Sequence, residues 1–178
     1  MWGVRTMKCI DRCQSPNAFE RWLPMSTHSG ILIHVIFSTK QRFKLLDKTW
    51  QDDLFGVMGG NAKNHKGVLL QAGGVEDHVH LFLKTHPSFA IADTIKLIKG
   101  NSSHWINQNQ KISAKFSWQR GYGAFSVSES MSDVVRRYIR NQEQHHLKQS
   151  FRDEYLEFLR KHRIQFDQRY VFEDEHFG

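Results

Sequence analysis

The chain has 178 residues, 39% of them hydrophobic and 12% aromatic, which suits one globular domain with a real core rather than a disordered segment. Its net charge of +7, with 11 further histidines and a pI of about 9.5, favours a polyanionic partner, nucleic acid before membrane. The longest apolar run, Ile31 to Phe37, is interrupted by His34 and is far too short to span a bilayer.

The first residues lack the apolar segment and cleavage pattern of a secretory signal. Cys9 and Cys13 stand four apart with no adjacent His pair, a poor zinc site and a poor disulfide framework, so a reduced cytoplasmic protein is the economical expectation. Residues 1–24 have no sustained period and are broken at Ser15-Pro16-Asn17; they are expected to be a poorly ordered extension, with 25–178 a single domain.

Ile31-Leu32-Ile33-His34-Val35-Ile36-Phe37 reads as a strand apolar on both faces, hence central in a sheet. A basic loop, Ser38 to Arg42, comes next. Thr49 to Asn64 reads as a helix with Leu54, Phe55, Val57 and Met58 toward the core, weakened in its latter half by Gly56, Gly59 and Gly60. Val68 to Ala72 is a second strand, joined through Gly73–Asp77 to a third in an antiparallel hairpin.

That third strand, around His78-Val79-His80-Leu81-Phe82-Leu83, sets Val79, Leu81 and Leu83 against Phe82 on the opposite face. Period-two alternation puts His78 and His80 on one face, roughly 6–7 Å apart along the chain, a separation at which two neutral imidazoles can share a divalent metal. Pro87-Ser88 opens the next helix, with Ser88 as its cap and Ile91, Ile95, Ile98 and Trp105 on one buried stripe. Phe116 to Val127 is a Gly-bent segment ending in a short strand, whose glycines imply unusual dihedrals or a close approach. Ser132-Asp133 starts a helix in which Val134, Val135, Ile139 and Leu147 pack while Arg136, Arg137 and Arg140 face outward; a last helix runs from about Phe151 to His162. The strand–helix–strand–strand–helix–strand order is that of a ferredoxin-like (RRM-like) α+β sandwich with a central antiparallel sheet and extra C-terminal helices.

Tyr138 and Gln142 are four apart and so share one face of a helix. A phenol can attack as a nucleophile and store the energy of the broken bond in a covalent ester. A Gln carbonyl is a hard oxygen donor suited to Mg2+ or Mn2+. His78, His80 and Gln142 would supply three ligands, leaving positions for water and a phosphate oxygen, and such a metal would stabilise charge on a leaving 3′-oxygen. Taken singly, His-x-His is also the polar edge of a sheet, and a helical Tyr is usually packing.

Together, His78-Val79-His80, Trp118-Gln119-Arg120-Gly121-Tyr122-Gly123-Ala124-Phe125-Ser126-Val127-Ser128 and Tyr138-Ile139-Arg140-Asn141-Gln142-Glu143-Gln144-His145-His146 resemble the IS200-like transposases, the single-tyrosine HUH enzymes. The resemblance spans 25–172, including Phe151–Tyr155 and Phe166–Tyr170. It implies metal-assisted cleavage and rejoining of single-stranded DNA with hairpin or palindromic ends, through a 5′-phosphotyrosine link. It further implies Tyr138 as nucleophile, His78, His80 and Gln142 as ligands of Mg2+ or Mn2+, and a homodimer whose sheets join. Lys40, Arg42, Lys96, Lys99, Arg120 and Arg137 are candidate phosphate contacts. His78 is expected in an open cleft rather than in the core.

Three alternatives stay open. One is a non-catalytic single-stranded nucleic-acid-binding descendant of this family. Another is a metal-dependent hydrolase using water in place of Tyr138. The third, within the favoured class, is a relative that processes REP-type chromosomal repeats.

Overall fold

The structure is a computed structural model and describes residues 28–167 and Val171. The expectation for residues 1–24 lies outside the described residues, as does most of Phe166–Phe172.

Four strands form one antiparallel sheet: β1 (Ile31–Ser38), β2 (Val68–Gly74), β3 (His78–Thr85) and β4 (Gly123–Val127), in the spatial order β2-β3-β1-β4. Between them run α1 (Lys48–Asn64), after β1, and α2 (Ile91–Gln108), after β3. This is the ferredoxin-like order read from the sequence, with β1 and β3 interior as their two-sided apolar pattern requires. Three more helices complete the chain: α3 (Ser132–Arg140), α4 (Gln142–His146) and α5 (Phe151–Lys161).

The register divides the sheet chemically. Ile33, Val35 and Phe37 pair with Leu83, Leu81 and Val79, and this face is buried by α1 and α2 through Leu54, Met58, Ile95, Ile98 and Ile106. The intervening residues, His34, Ile36 and Ser38, pair with Phe82, His80 and His78 and face the other way. There α3 and α5 close over the sheet, Ile139 on Leu32 and Phe82, and Phe151, Tyr155, Leu156 and Leu159 against Ile36 and Phe125. A one-residue slip of β3 would drive both histidines into the aliphatic core, so the apolar set on the α1/α2 side fixes where the imidazoles point.

Local signals account for most element ends. Asp47 Oδ1 accepts from Thr49 N at 2.8 Å and caps α1, which runs through its glycines because Leu54, Met58 and Ala62 are buried. Ser150 Oγ accepts from Asp153 N at 3.2 Å and caps α5. Ser88 does not cap α2: the helix starts at Ile91, because Phe89 N donates to His86 O and Ser88 N to His86 Nδ1 in a preceding turn.

The helix expected after Ser132 breaks at Asn141. Leu147, beyond the break, is 77% exposed instead of packed, and Val134, on the first turn of α3, is 43% exposed. Arg136 turns inward, its Nη1 donating to Leu70 O of β2 at 2.7 Å with the guanidinium 5.7 Å from the Phe82 ring. No glycine among the described residues has positive φ. Gly123 is instead a place of close approach, where an added Cβ would stand 2.8 Å from the Phe125 ring and 3.0 Å from that of Tyr155.

Gly73 decides how closely α3 can approach the histidine strand. It pairs with His80 across β2 and β3, and an added Cβ would lie 2.0 Å from the carbonyl oxygen of Ile139. The missing side chain lets α3 settle on the sheet. Gly73→Ala is expected to destabilise the fold by roughly 1–3 kcal/mol through overpacking. Gly60→Ala, on open helix surface with nothing within 4 Å, should gain about 0.5–1 kcal/mol. Urea unfolding of the two variants beside the parent checks both signs.

Candidate active site

β3 brings His78 and His80 to the face covered by α3 and α5, their ring centroids 5.1 Å apart. Both are 0% exposed, and Phe151 of α5 stacks on His78 at 4.2 Å. The expectation of an open cleft at His78 is therefore corrected: α5 closes over the pair. Each ring is held at Nδ1. Asp77 Oδ1 stands 2.6 Å from His78 Nδ1 and, held below its ordinary carboxylate value, accepts there, so Nδ1 carries a proton and Nε2 is the nitrogen turned toward the site. Burial pushes Asp77 up, but its hydrogen bond and charge interaction with His78 outweigh this. His80 Nδ1 lies 3.0 Å from His34 Nε2 on β1, and with His80 donating, its Nε2 is likewise free to accept. Burial, the largest cause, holds His80 down at about 4 and His34 well below its ordinary value, so both rings are neutral near pH 7, as metal ligands must be.

Opposite these nitrogens stands Glu154 of α5, buried among aromatic side chains. Its Oε2 lies 3.4 Å from His80 Nε2, 3.8 Å from His78 Nε2 and 3.2 Å from His146 Nε2 of α4. Its Oε1 accepts from Tyr138 Oη and, at 3.3 Å, from Gln142 Nε2. Burial pushes the Glu154 carboxyl up, but the hydrogen bonds and charge of His146, His80 and Tyr138 prevail and hold it well below the ordinary range. Burial and the same contact raise Tyr138 far above a normal phenol, so it is protonated in this arrangement. Tyr138 and Gln142 belong to separate helices, α3 and α4, yet still converge, both reaching one carboxylate oxygen.

Apart from the imidazole contacts with Glu154, the Nε2 atoms of His78, His80 and His146, Glu154 Oε2 and Gln142 Oε1 are buried without a hydrogen-bond partner. The donor atoms of His78, His80, His146 and Glu154 all lie within 4.8 Å of one another. Four of these atoms converge, and a divalent cation can stand where protons would otherwise separate their lone pairs, so the residues present fit a divalent metal. The sequence reading included His78, His80 and Gln142. It missed His146, Glu154, His34 and Asp77.

The candidate phosphate contacts do not gather at this site. Lys96 and Arg120 line a separate cleft of about 360 Å3 with Lys99, Trp118 and Tyr122, where α2 faces the segment before β4. Lys99 Nζ donates to the carbonyls of Gln119, Arg120 and Gly121 at 2.7, 3.1 and 2.8 Å, which commits its three hydrogens to holding that segment. Lys40 and Arg42 lie on a short 3-10 turn after β1, and Arg137 is exposed on α3. Of the six, Arg42 borders the cleft of about 570 Å3 that opens beside Asp77, His146 and Phe151, together with Lys44 and Lys48, two cations the sequence reading passed over.

Residues 27–142 match the family model described as "Transposase IS200 like", which covers well over half of the chain. The chain belongs to that family. The ISDra2 transposase TnpA of Deinococcus radiodurans is 27% identical over 114 residues, 61% of this chain and 81% of that protein. A crystal structure of a candidate transposase from Deinococcus radiodurans superposes with a TM-score of 0.52 at 26% identity, covering 65% of this chain and 93% of that one. A REP-associated tyrosine transposase bound to a REP hairpin superposes at 0.49 with 13% identity, over 65% of this chain and 70% of that one. The IS200-like match ends at Gln142, so His146 and Glu154 lie beyond it. No helix of the described residues is long and apolar enough to cross a membrane.

The Asp77–His78 contact makes a direct prediction. Asp77→Asn should weaken divalent-cation binding by about 10–100-fold with unchanged circular dichroism, since the amide no longer fixes the ring's tautomer. Isothermal titration of parent and variant measures it.

Proposed function

We propose that this IS200-like transposase cuts and rejoins single-stranded DNA through Tyr138. The observation that carries the reading is the meeting of nucleophile and histidine pair within one chain. The phenol of Tyr138 and the Nε2 atoms of His78 and His80 converge on the two oxygens of Glu154, and the Tyr138 and His80 rings are 5.9 Å apart. Family membership and the charge of +7 support it independently.

In the proposed reaction Tyr138 Oη loses its proton and attacks a backbone phosphorus. A 5′-phosphotyrosine bond forms, the P–O3′ bond breaks, and the departing 3′-oxygen takes up a proton. Rejoining reverses the sequence, with a 3′-hydroxyl attacking and the phenol leaving. Tyr138 is the nucleophile and His78 and His80 hold the cation, with Gln142 beside the phenol on the same Glu154 oxygen. A bound divalent cation would offset charge on the phosphate and leaving oxygen. The Tyr138–Glu154 hydrogen bond must open before the phenol can attack, because the same oxygen is donor there and nucleophile in the reaction. The substrate class is hairpin-bearing or palindromic single strands, and Arg42, Lys44 and Lys48 at the mouth of the larger cleft are suited to the approaching backbone. A homodimer joining sheets would use an edge strand, β2 or β4.

Incubated with Mn2+ and a hairpin-bearing single strand, the protein should form a denaturant-resistant adduct seen as a shifted band on a denaturing gel. Tyr138→Phe should abolish the adduct while DNA binding persists. Cleavage without an adduct, undiminished in Tyr138→Phe, would transfer the reaction to water.

A further inference from the structure

The donors around the histidine pair differ from those of a magnesium site. Mg2+ wants oxygen ligands in octahedral geometry and keeps several waters. Here three imidazole nitrogens and one carboxylate oxygen face one another within 4.8 Å, and all four atoms are buried with no hydrogen-bond partner outside the group. Three nitrogens and one carboxylate oxygen suit a four-coordinate borderline ion such as Zn2+ or Co2+. The orienting partners are also those of such a site: His78 Nδ1 donates to the Asp77 carboxylate, and His146 Nδ1 lies 2.9 Å from the Gln149 carbonyl, which can only accept. At two of the three imidazoles, therefore, an acceptor holds the Nδ1 proton and Nε2 is the nitrogen turned toward the site.

We propose that His146 of α4 and Glu154 of α5 complete, with His78 and His80, a four-donor site for an ion of the zinc class in preference to Mg2+. The ion clasps the C-terminal helices to β3. Glu154 is shared: Oε2 belongs to the clasp and Oε1 holds Tyr138, so occupancy of the site and the seating of the nucleophile are coupled through one carboxylate. The assignment rests on the strand-cleavage reading of the same site and deepens it, replacing Gln142 with two residues outside the family match. Gln142 then serves as a positioning residue, its Nε2 on Glu154 Oε1.

The test uses the tag-free full chain, stripped with chelator and titrated with Co2+, whose visible d–d bands are intense when four-coordinate and weak when six-coordinate. The parent should give intense bands that excess Mg2+ does not remove, and Zn2+ but not Mg2+ should raise the melting temperature. His146→Ala, at a half-buried residue, should weaken Co2+ binding by about ten-fold or more and alter the bands. Glu154→Gln should do the same, whereas Gln142→Ala should keep them; circular dichroism reports folding of each. Weak six-coordinate bands in the parent, displacement by comparable Mg2+, or bands unchanged in folded His146→Ala would overturn the assignment. Those failures are separable from failure of the strand-cleavage reading, which is judged by the Tyr138 adduct alone.

Discussion

A single buried carboxylate organises this molecule. Glu154 lies among Phe151, Tyr155 and Leu159 on the inner stripe of α5, where an unpaired charge would cost several kcal/mol. It is tolerated because six groups address it: three imidazole nitrogens near one oxygen, and a phenol, an amide and the His145 ring near the other. Those groups come from β3, α3 and α4, so satisfying one charge draws together strands and helices far apart in sequence. Removing any one partner would leave part of the charge uncompensated, which makes the cluster cooperative.

The sheet supplies the other half of the constraint. Alternation along β1 and β3 commits one face to aliphatic packing and the other to chemistry, and the size of the aliphatic face makes the register hard to shift. Gly73 then removes the side chain that would keep α3 off the sheet, and Arg136 ties α3 back to β2. Tyr138 reaches the histidines because β2 admits the helix at one position and grips it at another.

Much of this was legible in the sequence, for identifiable reasons. The strands announce themselves by alternation and two-sided apolar runs, and α2 by its isoleucine stripe. His-x-His and Tyr138 were readable because their spacing is local. His34 was read only as an interruption of an apolar run; its role appears when β1 pairs with β3 and sets it beside His80. His146 and Glu154 were missed because the histidine pair they meet lies more than 60 residues away in sequence and is reached only across a tertiary contact. A signal for Glu154 did exist: in Phe151-Arg152-Asp153-Glu154-Tyr155 the acid falls on the same helical stripe as Phe151, Tyr155 and Phe158, and a carboxylate on a buried stripe demands a partner. The break at Asn141 was hidden because Gln142 and His146 continue a helical pattern past it.

The closed state also bears on how DNA would gain access. The histidine pair has no exposed surface, and Phe151 lies flat on His78. A phosphate approaching through the cleft beside Arg42, Lys44 and Lys48 meets His146 before it meets the pair. It carries the same sign of charge as Glu154 and seeks the same cation. On the proposed reading the two anions compete for one electropositive pocket, and the phenol is released when the carboxylate yields. The stronger the hold of the imidazoles on Glu154, the better the resting protein is packed and the higher the barrier to the substrate. Stability of α5 and accessibility of Tyr138 are then opposed quantities set by the same four side chains.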